Sequence, residues 1–253
     1  MQLDGVAALV TGAASGLGAA TATHLAEQGA SVFGLDLEKA VAGAPSPPKG
    51  VTLLAADVTS ETSVRDAIAC ATEGPESLRV VVNCAGIAPS ARILSRSGPH
   101  DLDFFHTVLQ VNLLGTFNVM RLAAEQIATT AADEHNQRGV IVNTASIAAF
   151  EAQIGQIAYA ASKAGVAGMT ITAARDLAQH GIRVVTIAPG IVDTPMMDGF
   201  CDDIRAGLAA SVTFPQRLAD PFEYARLVAM IADHDYLNGE TIRMDGALRM
   251  TPR

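Results

Sequence analysis

With 253 residues, 49% of them hydrophobic and 17% charged, the chain has the size and composition of one soluble α/β domain with a substantial core. Its formal charge of -9 argues against a nucleic-acid or anionic-membrane surface, since either would need a basic patch. Three cysteines without metal-ligand spacing fit reduced thiols and a cytoplasmic protein with no metal. The first residues carry Asp4 and no Lys or Arg before Lys39, unlike a secretion signal, and no apolar run is long enough for a membrane span.

Val6 to Val10 forms a short apolar run, followed by T-G-A-A-S-G-L-G and a helical pattern to Gly29. Strand, glycine turn, helix is the arrangement in which backbone N–H groups meet a pyrophosphate, so Gly12, Ser15, Gly16, Leu17 and Gly18 are candidate dinucleotide ligands. A second strand, Ser31 to Leu35, ends at Asp36, whose carboxylate suits an adenosine ribose and would repel a 2'-phosphate. The proline-rich stretch 38–50 predicts a crossover that is mostly loop. Val51 to Ala55 is the third strand; Asp57 and Val58 follow, with Asp57 either receiving an adenine amino group or capping a turn. A helix capped by Thr59 or Ser60 then runs to about Ala71.

Arg79 to Val82 predicts a fourth strand, and N-C-A-G (Asn83, Cys84, Ala85, Gly86) leaves room for a sugar at its carboxyl end. After a polar excursion comes a long helical pattern, about 102–127. It contains Asn112, a poor residue for a helix interior that is either structural or functional. The strand Val140 to Asn143 leads to Ser146, and a helix from about Ile157 places Tyr159 and Lys163 four residues apart on one face. An ammonium there would lower the phenol pKa. Gln153 and Gln156, just upstream, are either substrate hydrogen-bonders or exposed loop amides. A strand over Ile182 to Ile187 precedes P-G-I-V-D-T-P, where Pro189, Val192 and Thr194 are candidate cofactor contacts. Residues 193–219 read as an apolar cover over a substrate, Pro221 to Ala232 as a short helix and Thr241 to Met244 as the last strand. No repeat or linker divides the chain.

Taken together, the glycine turn, Asp36, Asp57, N-C-A-G, Asn112, Ser146, Y-A-A-S-K and P-G-I-V-D-T-P resemble the classical short-chain dehydrogenase/reductase family from end to end. The resemblance implies a single-domain, doubly wound Rossmann fold, α/β, with seven parallel strands, an NAD cofactor and a Ser146–Tyr159–Lys163 site. Asn112 would be its fourth member, supporting a water that relays protons to Lys163. The excursion at 88–106 and the stretches G-T-F-N-V-M-R-L and L-N-G-E-T-I-R-M-D-G-A-L-R-M resemble a branch of that family acting on 3-hydroxyacyl-CoA thioesters and some hydroxysteroids as a homotetramer. For such a substrate Arg92 and Arg96 are either phosphate contacts or ordinary surface. An acyl-carrier-protein reductase with the same chemistry, and a cofactor-sensing module without turnover, are the other readings. The intact Ser-Tyr-Lys set argues against the latter.

Overall fold

The computed structural model describes residues 1–252. In chain order its strands are β1 (Ala7–Thr11), β2 (Ser31–Asp36), β3 (Val51–Ala55), β4 (Leu78–Asn83), a two-stranded antiparallel ribbon β5 (Leu94–Ser95) and β6 (Gly98–Pro99), then β7 (Gly139–Thr144), β8 (Ile182–Pro189) and β9 (Thr241–Met244). All but the ribbon join one parallel sheet in the order β3-β2-β1-β4-β7-β8-β9. The chain winds outward from β1 to β3, then crosses back to β4 on the other side of β1. That reversal opens a crevice at the carboxyl ends of β1 and β4, where ligands of doubly wound sheets bind.

The sheet is covered on both faces, which is why its central strands carry apolar runs on successive residues and not a strict alternation. Every residue of β7 and β8 is buried. Leu9, Val81, Ile141 and Val184 pack on one side with Val64 and Ile68 of α3 (Glu61–Ala71) and with Val119 and Ile127 of α5 (Thr116–Ile127). Val10, Val82, Val142 and Val185 pack on the other with Ala22 and Leu25 of α1 (Gly16–Glu27) and with Tyr224, Val228 and Ile231 of α8 (Pro221–Asp233). Each such aliphatic side chain contributes about 1.5–3 kcal/mol on burial. Ser60 caps α3 through its side chain, and Asp220 and Glu223 form a capping box at α8.

The sequence pattern differs from the structure in three places. The crossover 38–50 holds a six-residue helix, α2 (Glu38–Gly43), which stops before the prolines at 45, 47 and 48. Within the polar excursion lies the β5–β6 ribbon. The single long helix predicted over 102–127 is interrupted: α4 (Leu102–Leu109) passes into a π-helical turn, Gln110–Gly115, before α5. A π turn carries an extra residue, and the Thr116 hydroxyl bonds the Asn112 carbonyl at 2.8 Å, satisfying a group on the irregular turn. Apolar periodicity does not register such an insertion because the buried face resumes on either side.

Candidate active site

The site lies in an open cleft of about 1840 Å³ at the carboxyl edge of the sheet. That exceeds the roughly 300–1,000 Å³ of a pocket for one drug-sized molecule and suits two ligands side by side. One end is the glycine turn. Gly12 (φ +67°) lies so close to the β4 exit that a Cβ there would stand 2.9 Å from the Ala85 amide nitrogen. Thr11 ties the same strand ends together: its hydroxyl accepts from the Cys84 and Ala85 N–H groups at 3.1 and 3.0 Å. Ser15 is the N-cap of α1, yet its side chain makes no capping bond and no acid stands in the first turn. The N–H groups at the helix start therefore face Ser15, Gly16, Leu17 and Gly18 in the cleft lining without an internal anionic partner, which fits a pyrophosphate. Thr194 and Pro195 approach Gly16 from above.

Asp36, at the end of β2, lines the same end of the cleft. Its two oxygens accept from Ala14 N–H at 3.0 Å and Leu37 N–H at 2.8 Å, so the carboxylate is fixed and still borders the cavity. Asp57 and Val58 also line it, but the Asp57 carboxylate caps the turn, accepting from the Thr59 N–H and hydroxyl at 2.9 and 2.8 Å. Of the two readings of Asp57, turn capping describes what its Oδ1 does. Cys84, Ala85 and Gly86 form the cleft floor, with Pro189, Val192 and Thr194 on the opposite side. Asn83 departs from expectation. It is buried in the sheet at 2% exposure, outside the lining, and donates Nδ2 to Asn143 across β4 and β7. The strand continues one residue further than predicted and carries Asn83 with it.

Tyr159 and Lys163 rise from the first turns of α6 (Ile157–Leu177) into the cleft, and Ser146 sits just past the end of β7. Ser146 also caps the short turn Ile147–Ala149, accepting from Ala148 N–H at 3.1 Å. Its hydroxyl, beside the Tyr159 phenol, pulls the phenol's pKa down, but burial is the larger effect and raises it. The predicted lowering by Lys163 is therefore corrected. The ammonium stands 5.8 Å from the centre of the Tyr159 ring and donates instead to the Thr144 carbonyl at 2.7 Å. Lys163 itself is 4% exposed, and that burial brings its pKa down to about 8.

The Asn112 side chain is fully engaged within the fold. Its Oδ1 accepts from Ile87 N–H and its Nδ2 donates to the Ile87 carbonyl, both at 2.8 Å, with a further bond to Ser162 Oγ at 3.0 Å. This fully buried amide pins the loop after β4 to α6. Gly86 separates it from Lys163, for a Cβ there would lie 3.1 Å from Asn112 Oδ1 and 3.6 Å from Lys163 Nζ. The π turn is what aims Asn112 inward.

Gln153 and Gln156 both line the cleft, but the Gln156 side-chain carbonyl accepts from Gln153 N–H at 3.1 Å, making it a brace for the loop. The segment 193–219 contains α7 (Asp202–Ser211), and Phe200, Ile204 and Leu208 of the segment line the cavity. Asp193, at the start of the segment, pairs with Arg205 of α7 at 2.5 Å. Sequence reasoning missed Thr144 and Tyr224, whose hydroxyls bond at 2.7 Å behind Lys163. It also missed Met250, which lines the cleft from the far end of the chain. Thr144 was signalled only by its place at the end of a buried strand two residues before Ser146. Arg92 and Arg96 form no ion pair among the described residues.

Comparison with known proteins agrees with this geometry. The chain is 51% identical to a 3-hydroxyacyl-CoA dehydrogenase type-2 from Bos taurus over 99% of its length and 98% of the relative's. It is 36% identical to a (3R)-3-hydroxyacyl-CoA dehydrogenase from Homo sapiens, covering 98% and 97% of the two chains. A crystal structure of a 3-hydroxyacyl-CoA dehydrogenase type-2 from Mycobacterium avium superimposes with a TM-score of 0.92 at 44% identity, covering 98% of each chain. Residues 6–204 match the family model described as short chain dehydrogenase. The chain belongs to the short-chain dehydrogenase family and is an oxidoreductase that interconverts an alcohol and a ketone.

Proposed function

We propose that the protein uses NAD to interconvert (S)-3-hydroxyacyl-CoA and 3-oxoacyl-CoA of short or branched chain, with some hydroxysteroids as further substrates. The observation that carries the reading is that Tyr159, with the Ser146 hydroxyl beside it, lines one cleft with a glycine turn and Asp36. Identity of 51% over 99% of the chain to a relative named 3-hydroxyacyl-CoA dehydrogenase type-2 supports the choice of substrate. When bound, the nicotinamide accepts or returns the hydride. The glycine turn and the start of α1 hold the pyrophosphate, Asp36 the adenosine ribose, and Lys163 the ribose beside the nicotinamide. Tyr159 takes the proton from the substrate hydroxyl in oxidation and gives it back in reduction. Ser146 donates to the substrate oxygen as it becomes a carbonyl, and Gln153 meets the acyl carbonyl. The same chemistry supports an acyl-carrier-protein reductase, but that class prefers a 2'-phosphorylated cofactor, which the Asp36 carboxylate repels.

The test is an assay of NADH and NADPH oxidation with acetoacetyl-CoA, 2-methylacetoacetyl-CoA, an acyl-carrier-protein ketone and a ketosteroid. NADH is expected to be preferred by about a hundredfold, since a misplaced charge-assisted contact is worth roughly 2–3 kcal/mol. Replacing Asp36 by Arg is expected to reverse that preference. A wild-type preference for NADPH refutes the reading.

The pH dependence has a definite sign. Burial raises the Tyr159 pKa, so at neutral pH the phenol of the free protein keeps its proton, while Lys163, with its pKa near 8, is mostly charged. Ketone reduction, which consumes the phenol proton, should hold up to about pH 10 because the raised phenol pKa keeps that proton in place, and alcohol oxidation, which needs the phenolate, should strengthen as pH rises. Profiles of kcat/KM in both directions from neutral pH to about pH 10 check this. An oxidation rate that falls over that range contradicts it.

Self-association into a homotetramer belongs to the same reading, supported by the exposed Phe117 on α5 and Ile157 and Ile171 on α6. No helix among the described residues is long and apolar enough to cross a membrane. The free thiols Cys70, Cys84 and Cys201 support a reducing, cytoplasmic setting.

A further inference from the structure

The loop between the serine and the tyrosine, residues 147–156, is held from outside by the end of the chain. Arg243 on β9 donates Nη2 to Glu151 Oε1 and to the Leu248 carbonyl, the latter at 3.2 Å, and Nε to Asp245 Oδ2 at 2.6 Å. Its guanidinium lies 5.5 Å from the centre of the Phe150 ring. Arg249 reaches the same Asp245 oxygen at 3.2 Å and stands 3.8 Å from Glu151. Two carboxylates thus alternate with two guanidinium groups. Asp245 is almost enclosed, its side chain 8% exposed, so this network is screened by solvent far less than a surface pair. The backbone adds its own tie, for Ile154 N–H donates to the Pro252 carbonyl at 3.1 Å.

The same terminal turn also touches the cover. Phe214 N–H donates to the Gly246 carbonyl at 3.1 Å, and Thr213 Oγ1 to the Ala247 carbonyl at 3.2 Å. Ile147, Val212 and Leu248 share one buried cluster with Ile191 and Met250 packed against it. One side chain of this turn, Met250, continues into the cleft lining, where Gln153 and Leu208 also stand.

We propose that the carboxyl-terminal turn is the wall of the substrate end of the cleft. Met250 is its specificity-determining side chain, and Arg243 and Glu151 are positioning residues that hold the wall against the Gln153 loop. A flexible thioether on a braced turn sets how much acyl chain fits without touching the proton chemistry at Tyr159. The detail of chain length rests on the acyl-CoA reading given above; the placement of the wall does not.

The test uses the full-length protein with Met250→Ala, Arg243→Gln, Arg243→Lys and Glu151→Gln. Met250→Ala should raise kcat/KM for a long 3-oxoacyl-CoA relative to a short one by about tenfold, the usual return for opening an apolar pocket by a few methylenes. Arg243→Gln and Glu151→Gln should each raise the ketone KM by about fivefold to tenfold, leaving kcat and the NADH Kd within about twofold, and Arg243→Lys should recover part of the loss. A folded Met250→Ala protein with unchanged chain-length preference overturns the proposal. So does a loss in the Glu151 and Arg243 variants that falls equally on kcat, ketone KM and NADH Kd, the signature of a merely structural role. If the wild type turns over no acyl-CoA, the acyl-CoA reading fails instead. The same ratios, read on a large and a small ketone that it does reduce, then decide the wall.

Discussion

Replacing Tyr159 by Phe is expected to lower turnover by at least about a thousandfold while NADH still binds with nearly its original affinity. The substitution removes one oxygen and leaves the ring, so the first turns of α6 and the Lys163 bond to the Thr144 carbonyl at 2.7 Å stay as they are. What is lost is the group that exchanges a proton with the substrate oxygen, and positioned proton transfer is typically worth about 10²–10⁴ in rate. The environment argues for the upper part of that range. Tyr159 lines the cleft half-buried, that burial raises the phenol pKa, and among neighbouring side chains the Ser146 hydroxyl is the one that pulls it back down. Ser146 donates to oxygen but is too weak a base at neutral pH to replace the tyrosine. The measurement is steady-state oxidation of NADH with the best ketone, paired with a fluorescence titration of NADH in the absence of ketone. Turnover within tenfold of wild type would remove Tyr159 from the chemistry, and a parallel loss of NADH affinity would show that the ring and not the hydroxyl had been disturbed.

Much of this architecture was legible because local and global signals agree. Val6 to Val10, the glycine turn and Asp36 placed the first strand, the first helix and the acid at the end of the second strand in order, and the turn and the acid line the crevice where the sheet reverses. Ser146, Tyr159 and Lys163 were legible for the same reason, since a strand end and a helix start are positions that spacing can locate. Three things were not legible. The π turn leaves no trace in apolar spacing, so the inward aim of Asn112 and its bonds to Ile87 lay outside any pattern. The sign of the Tyr159 shift depends on how deeply the phenol is enclosed against how near an ammonium comes, and sequence distance measures neither. Met250 and Arg243 meet the loop at 147–156 from about 90 residues further along the chain, a contact that only the folded β9 edge creates.

Gly18→Ala is expected to cost at least about 3 kcal/mol of stability and to abolish NADH binding, the larger structural effect of any single methyl group at this site. A Cβ at position 18 would stand 2.1 Å from the Gly12 carbonyl oxygen and 2.9 Å from that of Thr11. Both atoms are backbone, so no side chain can swing aside. Relief requires α1 to back away from the end of β1, and α1 is packed on its other side: Ala22 and Leu25 are buried with Val228 and Ile231 of α8 in the same core. The helix must therefore either break that packing or distort the glycine turn, and either movement displaces the N–H groups proposed to hold the pyrophosphate. Gly207→Ala supplies the contrast. Gly207 lies within α7, and a Cβ there meets nothing within 4 Å, so the substitution should stabilise the helix by roughly 0.5–1 kcal/mol through backbone entropy alone. Thermal and urea unfolding of the two variants, with NADH titration on each, separates the effects: opposite signs in stability are expected, with NADH binding lost only at Gly18. If Gly18→Ala binds NADH normally, the close contact of helix and turn is not what shapes the dinucleotide site.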